Sequence, residues 1–159
     1  MLPVELSNGI CSLNAGEDRL SMCAEMEIDA NGSVIKYDIF PTVIHVYRRL
    51  TYKLVNRILV EKDTQMIEDN QDILPLLHNL EAVYKVLNKR RQMRGAIDFD
   101  IPEVKVKLNA KGQAVGLVKR EHGLGESIIE ECMLVANETV AEHMARKELP
   151  FIYSVHGEP

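Results

Sequence analysis

The sequence predicts an α+β fold in which β-hairpins are interleaved with packed helices, and three observations predict it. Residues 19–28 and 104–108 alternate apolar and polar positions, and each is followed by a glycine-containing turn and a second strand-like stretch. Between and after these hairpins, apolar residues recur at three- and four-residue spacing, the repeat of an amphipathic helix. Pro75 and Gly95 bracket the longest such stretch where proline suits a first turn and glycine a C-terminal cap. Hairpins separated by helices define the α+β class rather than a parallel sheet.

In chain order, residues 1–16 carry Pro3, Ser7, Asn8, Gly9, Asn14 and Gly16 and are expected to be irregular. Leu20, Met22, Ala24, Met26 and Ile28 then alternate as in a half-buried strand, and Asn31-Gly32 supplies a hairpin turn. Residues 34–46 form the return strand, where Pro41 predicts an edge position or a bulge because proline has no amide to donate. Tyr52, Leu54, Val55, Ile58 and Leu59 give a short helix after Thr51. Leu77, Leu80, Tyr84 and Leu87 give a longer one that starts near Pro75 and ends at Arg94-Gly95. Residues 104–108 turn through 109–112 and return over 115–118. A last helix follows, and after Pro150 the run Phe151, Ile152, Tyr153 reads as strand-like.

A chain of 159 residues with 46% apolar content suffices for one core, so one domain is expected. A formal charge of -5 excludes a diffusely basic coat but not a local basic groove. Cys11, Cys23 and Cys132 are odd in number, lack metal-ligand spacing and lie in apolar segments, the pattern of reduced core thiols in a cytoplasmic protein. No apolar run is long enough for a bilayer, and residues 1–16 lack a signal-peptide pattern. The expectation is a soluble cytoplasmic protein with no membrane partner.

The last helix holds the most informative stretch, IIEECMLVAN at residues 128–137. At about 100° per residue, Ile128, Cys132, Ala136, Ile129, Val140, Met133 and Met144 form an apolar arc that resumes with Ala141 and Leu134, and Glu130 and Asn137 fall within it. Glu131, Glu138 and Glu142 fall on a separate acidic face that reads as solvated surface. A carboxylate in an apolar arc needs a partner. Two readings of Glu130 stand: the back-bonding member of a capping box Ser127-x-x-Glu130, or a ligand contact. Asn137 reads as a satisfied core amide.

Lys85, Lys89, Arg90, Arg91 and Arg94 crowd the end of the long helix, where cations meet the helix dipole favourably or face phosphates as a ridge. Tyr52 and Phe99 sit where a ring can stack on an unpaired base, and either also suits a core. The five histidines are dispersed, and Asp98 and Asp100 read as a solvated edge. Gly123-Leu124-Gly125 offers amides to an anion but is too short to be specific.

Several runs in order resemble the catalytic domain of the ribonuclease II and ribonuclease R family, ribonuclease R most. They are Leu2-Pro3, LSNGICSL at 6–13, Asp18-Arg19-Leu20, RLTY at 49–52, RGAIDF at 94–99, IEECMLVAN at 129–137 and VHGEP at 155–159. The resemblance covers essentially the whole chain. It implies the central part of such a domain, with processive 3′-to-5′ hydrolysis of single-stranded RNA to 5′-nucleotides by divalent-metal catalysis, Mg2+ in the parent enzyme. It implies that Tyr52 contacts the 3′-terminal nucleotides, that Phe99 helps clamp the stacked bases, and that Glu130 contacts the terminal ribose. A carboxylate accepting from the 2′-OH suits preference for RNA over DNA. Arg49, Arg91 and Arg94 become candidate phosphate contacts.

The departures are informative. The family's metal-binding aspartates precede the SNG-x-CSL segment and its catalytic arginine follows VHxxP within SP-x-R-x-Y; neither is in these residues. Ser154 stands where the family commonly has arginine, and Val46 and Tyr47 where small or polar residues are usual. Residues 1–159 are thus expected to be an incomplete catalytic domain, inactive alone, whose partners are single-stranded RNA, the rest of that domain and further RNA-binding domains. The competing expectations are a non-catalytic RNA-binding module and a structural or interaction domain.

Overall fold

The computed structural model describes residues 2–96, 104–119 and 122–155. Its elements are β1 (Asp18–Ile28), β2 (Val34–His45), α1 (Tyr52–Leu59), α2 (Thr64–Glu68), α3 (Leu74–Met93), β3 (Val104–Leu108), β4 (Ala114–Lys119) and α4 (Leu124–Arg146). The α+β class holds. Before β1, Glu5–Ile10 winds as one wide helical turn, with the Cys11 amide donating to the Leu6 carbonyl at 3.0 Å, so the opening is more ordered than its turn residues suggest.

β1 and β2 form an antiparallel two-stranded ribbon with Pro41 opposite Met22, so the proline does lie on an edge strand. The turn forms around Asp29, whose Oδ1 accepts the Asn31 and Ser33 amides at 2.9 and 2.8 Å. The Ser33 amide is the main reason the Asp29 carboxyl lies below the usual carboxylate range. Gly32 takes φ +82°, and a Cβ there would meet the Val86 carbonyl at 3.1 Å. Its own carbonyl accepts from Arg90 Nη1 at 2.8 Å, which pins the turn to α3.

Leu20, Met22, Ala24 and Met26 share one ribbon face with Val43, Pro41, Ile39 and Tyr37. Helix α4 touches that face near the turn, where Thr139 Oγ1 lies 3.3 Å from Met26 Sδ and His143 stands edge-on to Tyr37 at 5.6 Å. Leu20 is 84% exposed, and Met22 and Val43 are exposed as well. The predicted apolar face is therefore half-buried only near the turn, where α4 reaches it, and toward the far end the half-buried positions are Arg19, Ser21 and Cys23 on the other face.

The core lies among the first three helices. Thr51 Oγ1 accepts the Leu54 amide at 3.2 Å and starts α1, as predicted. Helix α2 was not anticipated; Asp63 caps it by accepting the Met66 amide at 3.2 Å and pairs with Arg57. Helix α3 has Pro75 in its first turn and stops at Gly95 (φ +87°), where the Gly95 and Ala96 amides return to the Gln92 and Arg91 carbonyls at 3.0 and 3.3 Å. Val55, Ile58, Ile73 and Leu77 are buried together, flanked by Leu50, Leu54, Leu59, Met66, Ile67 and Leu74. The second hairpin, β3–β4, forms as predicted and β4 is exposed along its length. Residues 149–155 form no strand among the described residues; Phe151 and Tyr153 pack edge to face at 5.3 Å instead.

Two expectations about α4 are corrected. The helix starts at Leu124 with Gly123 as its N-cap, so the back-bonding glutamate is Glu126, whose Oε2 accepts the Gly123 amide at 3.1 Å, and not Glu130. Its buried positions are Gly125, Ile128, Glu131, Val135 and Thr139, while Glu130 and Asn137 are exposed on the opposite side. The physical reason is that α4 is apolar on nearly every side, so periodicity alone does not choose which side packs inward. Assigning Glu131 to solvent because it is charged chose the wrong one.

Candidate functional site

Tyr52 is the first residue of α1, exposed beside its Thr51 cap. The approach to it is fixed by two consecutive residues of the preceding linker, Tyr47 and Arg48. Arg48 donates to Asn70 Oδ1 at 2.9 Å and to Asp72 Oδ1 and Oδ2 at 2.7 and 2.5 Å, and Tyr47 Oη donates to Asp72 Oδ2 at 3.1 Å. The Arg48 guanidinium holds the Asp72 carboxyl below the usual carboxylate range. Tyr47, unusual for the resemblance, therefore has a local role: it completes this clamp and lies against the Arg48 guanidinium, 5.8 Å from ring centre to Cζ. Arg49, the next residue, points outward and is exposed.

Helix α1 is joined to the start of α4 by Asn56. Its Oδ1 accepts the Gly125 amide at 2.7 Å, and its Nδ2 donates to Glu126 Oε2 at 3.2 Å. The amide side chain fills the space beneath Gly123, where a Cβ would lie 2.2 Å from Asn56 Nδ2. A Cβ on Gly125 would come within 3.4 Å of the Tyr52 carbonyl, so the two helix starts abut. Of the Gly123-Leu124-Gly125 amides expected to suit an anion, those of Gly123 and Gly125 are thus taken by Glu126 and Asn56. Composition gives no sign of Asn56; its role depends on a residue 69 positions away.

Glu130 lies five residues past Gly125, about 7–8 Å farther along the helix axis. Its side chain is 55% exposed, with His122 Nε2 at 3.6 Å from Oε2. On the inner side, Glu131 is only 4% exposed. Its Oε1 accepts from Arg91 Nε at 2.6 Å and from Asn88 Nδ2 at 3.3 Å. Arg94 makes a two-pronged pair with Glu138, at 3.0 and 3.3 Å. The arginines at the end of α3 therefore grip α4 and the ribbon turn, and the anticipated phosphate ridge is in this structure an inter-helix clamp. Beside it, burial and then the Glu131 charge push the Cys132 thiol up from its ordinary value.

The fold thus brings Tyr52 and Glu130 onto two elements that abut, both with exposed side chains, and leaves Arg49 exposed on the approach. Phe99 lies outside the described residues, as do Asp98 and Asp100. An open groove of about 380 Å³ between β2 and the inner side of α4, lined in part by Tyr37, Arg90, Glu138 and Arg146, includes none of the candidate residues. Among the described residues no three His, Cys, Asp or Glu side chains are grouped to hold a metal ion, and no helix is long and apolar enough to cross a membrane.

Tyr52 at the start of α1, Arg49 in the linker before it and Glu130 nearly two turns into α4 each present their group, aromatic, basic and acidic, at the protein surface. The sequence places this surface in a known class: the chain belongs to the RNB domain family, whose match spans residues 1–159. Among its relatives, Ribonuclease R of Thermotoga maritima is 46% identical over 160 residues, with all of this chain and 22% of the relative covered. Ribonuclease R 1 of Lactococcus lactis is 42% identical over all of this chain and 19% of its own length. The structure of Mycoplasma genitalium RNase R in complex with ribose methylated single-stranded RNA superposes with a TM-score of 0.85 at 29% identity, over 99% of this chain and 24% of that one. The chain therefore spans about a fifth of the length of these curated relatives.

Proposed function

We propose that the protein containing this sequence is a cytoplasmic 3′-to-5′ exoribonuclease acting processively on single-stranded RNA, and that residues 1–159 supply contacts to the RNA 3′ end. The observation that carries this reading is the joint one: family membership over the whole chain, with Tyr52 exposed at the start of α1 and Glu130 exposed nearly two turns into the helix whose start α1 abuts. Tyr52 offers a ring for a terminal base, a contact worth about 1–3 kcal/mol. Glu130 accepts from a ribose 2′-OH, the group that separates RNA from DNA. Arg49 lies on the approach for a backbone phosphate, and Phe99 completes the aromatic clamp.

The described residues do not fit a divalent-metal site, since no acidic or histidine cluster forms among them. No hydrolytic step is assigned to them. In this reading Mg2+ is held by carboxylates of the larger enzyme, and the 159-residue chain by itself binds RNA without cleaving it. Incubating the purified chain with end-labelled single-stranded RNA and Mg2+ tests this. Nucleotide release that scales with protein and disappears in Glu130→Ala would overturn it. Binding that is salt-sensitive, weaker for DNA of the same sequence, and reduced by Tyr52→Ala is the expected result. No binding at low salt by a chain shown by circular dichroism to be folded would favour a structural role instead.

A further inference from the structure

We propose that Glu131 is a positioning residue whose buried carboxylate, by holding Arg91 and Asn88, selects the rotation of α4 that turns Glu130 outward. The proposal rests on the reading of Glu130 as an RNA contact and deepens it. Helix α4 has two apolar sides. Ile128 and Val135 are buried on one, and Ile129, Met133 and Leu134 remain exposed on the other. Either side satisfies the demand for apolar burial, so apolar packing does not fix the rotation. The polar groups do. Glu131 is the only charged residue among the buried residues described, and a carboxylate in that position must keep its partners.

Those partners come from consecutive turns of α3. Arg91 Nε and Asn88 Nδ2 converge on one oxygen of Glu131, and Gln92 Nε2 steadies Asn88 by donating to its Oδ1 at 2.9 Å. Rotating α4 by one residue, about 100°, would take the carboxylate out of reach of both donors, and the direction that carries Glu130 inward toward Arg91 also turns Cys132 outward. The adjacent glutamates are therefore specialised: one reads α3, and in doing so it aims the other. Arg94 with Glu138, two turns farther on, supports the same rotation from the surface.

The test uses Glu131→Gln and Arg91→Met in the full-length protein that carries this sequence, with two readouts. The first is alkylation of the half-buried Cys132, in a background where Cys11 and Cys23 are serine. Arg91→Met keeps glutamate at position 131 beside the thiol, and labelling followed over several pH values in a folded variant separates exposure from ionisation. At least a tenfold rise is expected; an unchanged rate in a protein with wild-type helicity overturns the proposal.

The second readout is the ratio of affinities for matched RNA and DNA oligomers. Glu131→Gln should lower it at least threefold, and adding Glu130→Ala to it should lower it little further, because both changes remove one contact. A residue with a merely structural role would reduce thermal stability and leave the ratio alone, and that outcome also overturns the proposal. If Glu130→Ala itself leaves the ratio at its wild-type value while Cys132 becomes exposed, the assignment of Glu130 fails and the rotational role of Glu131 stands. If Arg91→Met does not fold, Glu131→Gln carries both readouts, its labelling measured at several pH values so that loss of the neighbouring charge is separated from exposure.

Discussion

On α4 the same four letters, IIEE, are used in two opposite ways. Ile128 and Glu131 face the protein, the first packed and the second ion-paired; Ile129 and Glu130 face out. The linker before α1 repeats the contrast with Arg48 clamped to Asp72 and Arg49 exposed beside it. In each case residue type is constant and only the partner differs. The lesson is that a charged residue in this fold is sorted by what stands opposite it.

The largest expected effect is on the isoleucine pair. Ile128→Ala, at a site only 2% exposed, should lower unfolding free energy by about 2–5 kcal/mol, whereas Ile129→Ala should lie within about 0.5 kcal/mol of wild type. Urea denaturation measures both, and equal losses would break the contrast. Next comes Gly123→Ala. The added Cβ displaces the Asn56 amide and orphans the Gly125 N–H, a loss of about 1–3 kcal/mol. Combining it with Asn56→Ala should cost less than the sum, since the clash is then removed.

Smaller effects separate the two arginines. Arg49→Ala should leave stability unchanged and reduce the slope of log affinity for RNA against log salt by about one, measured by fluorescence anisotropy. Arg48→Met should instead act through folding and acid sensitivity. Because Arg48 holds the folded-state value of Asp72 below its unfolded value, the stabilisation is present above the unfolded carboxylate range, near pH 4, and is lost as pH falls through the folded value. Asp72→Asn should therefore be less stable than wild type at pH 6, with the gap closing below about pH 4 in denaturation midpoints. A gap that does not narrow as the pH falls would assign Asp72 a role other than its charge.

Much of the fold was legible where the signal is local. Thr51, Pro75, Gly95 and the Asn31-Gly32 turn act on their own neighbours, and the helix and hairpin boundaries followed from them. Helix α2 was overlooked although Asp63 marks its start, because five residues offer too little periodicity to stand out. The inward face of α4 was not legible at all. Glu131 is paid for by Arg91, 40 positions earlier, and nothing in the local pattern distinguishes it from Glu130. For the site, the motif resemblance singled out Tyr52 and Glu130, but the Asn56 bridge that joins their helices depends on a contact that only the folded chain reveals.

The two pins on α3 have a mechanical consequence. Gly32 is tied to Arg90 near one end of that helix, and Arg48 is tied to Asp72 just before the other. The helix between these points is a strut about 27 Å long, whereas the mostly extended chain from Gly32 to Arg48 has a contour of about 50 Å. The ribbon is thus tied to the strut at its turn and again through the linker that follows β2, while Leu20, Met22 and Val43 on its face between these ties stay exposed.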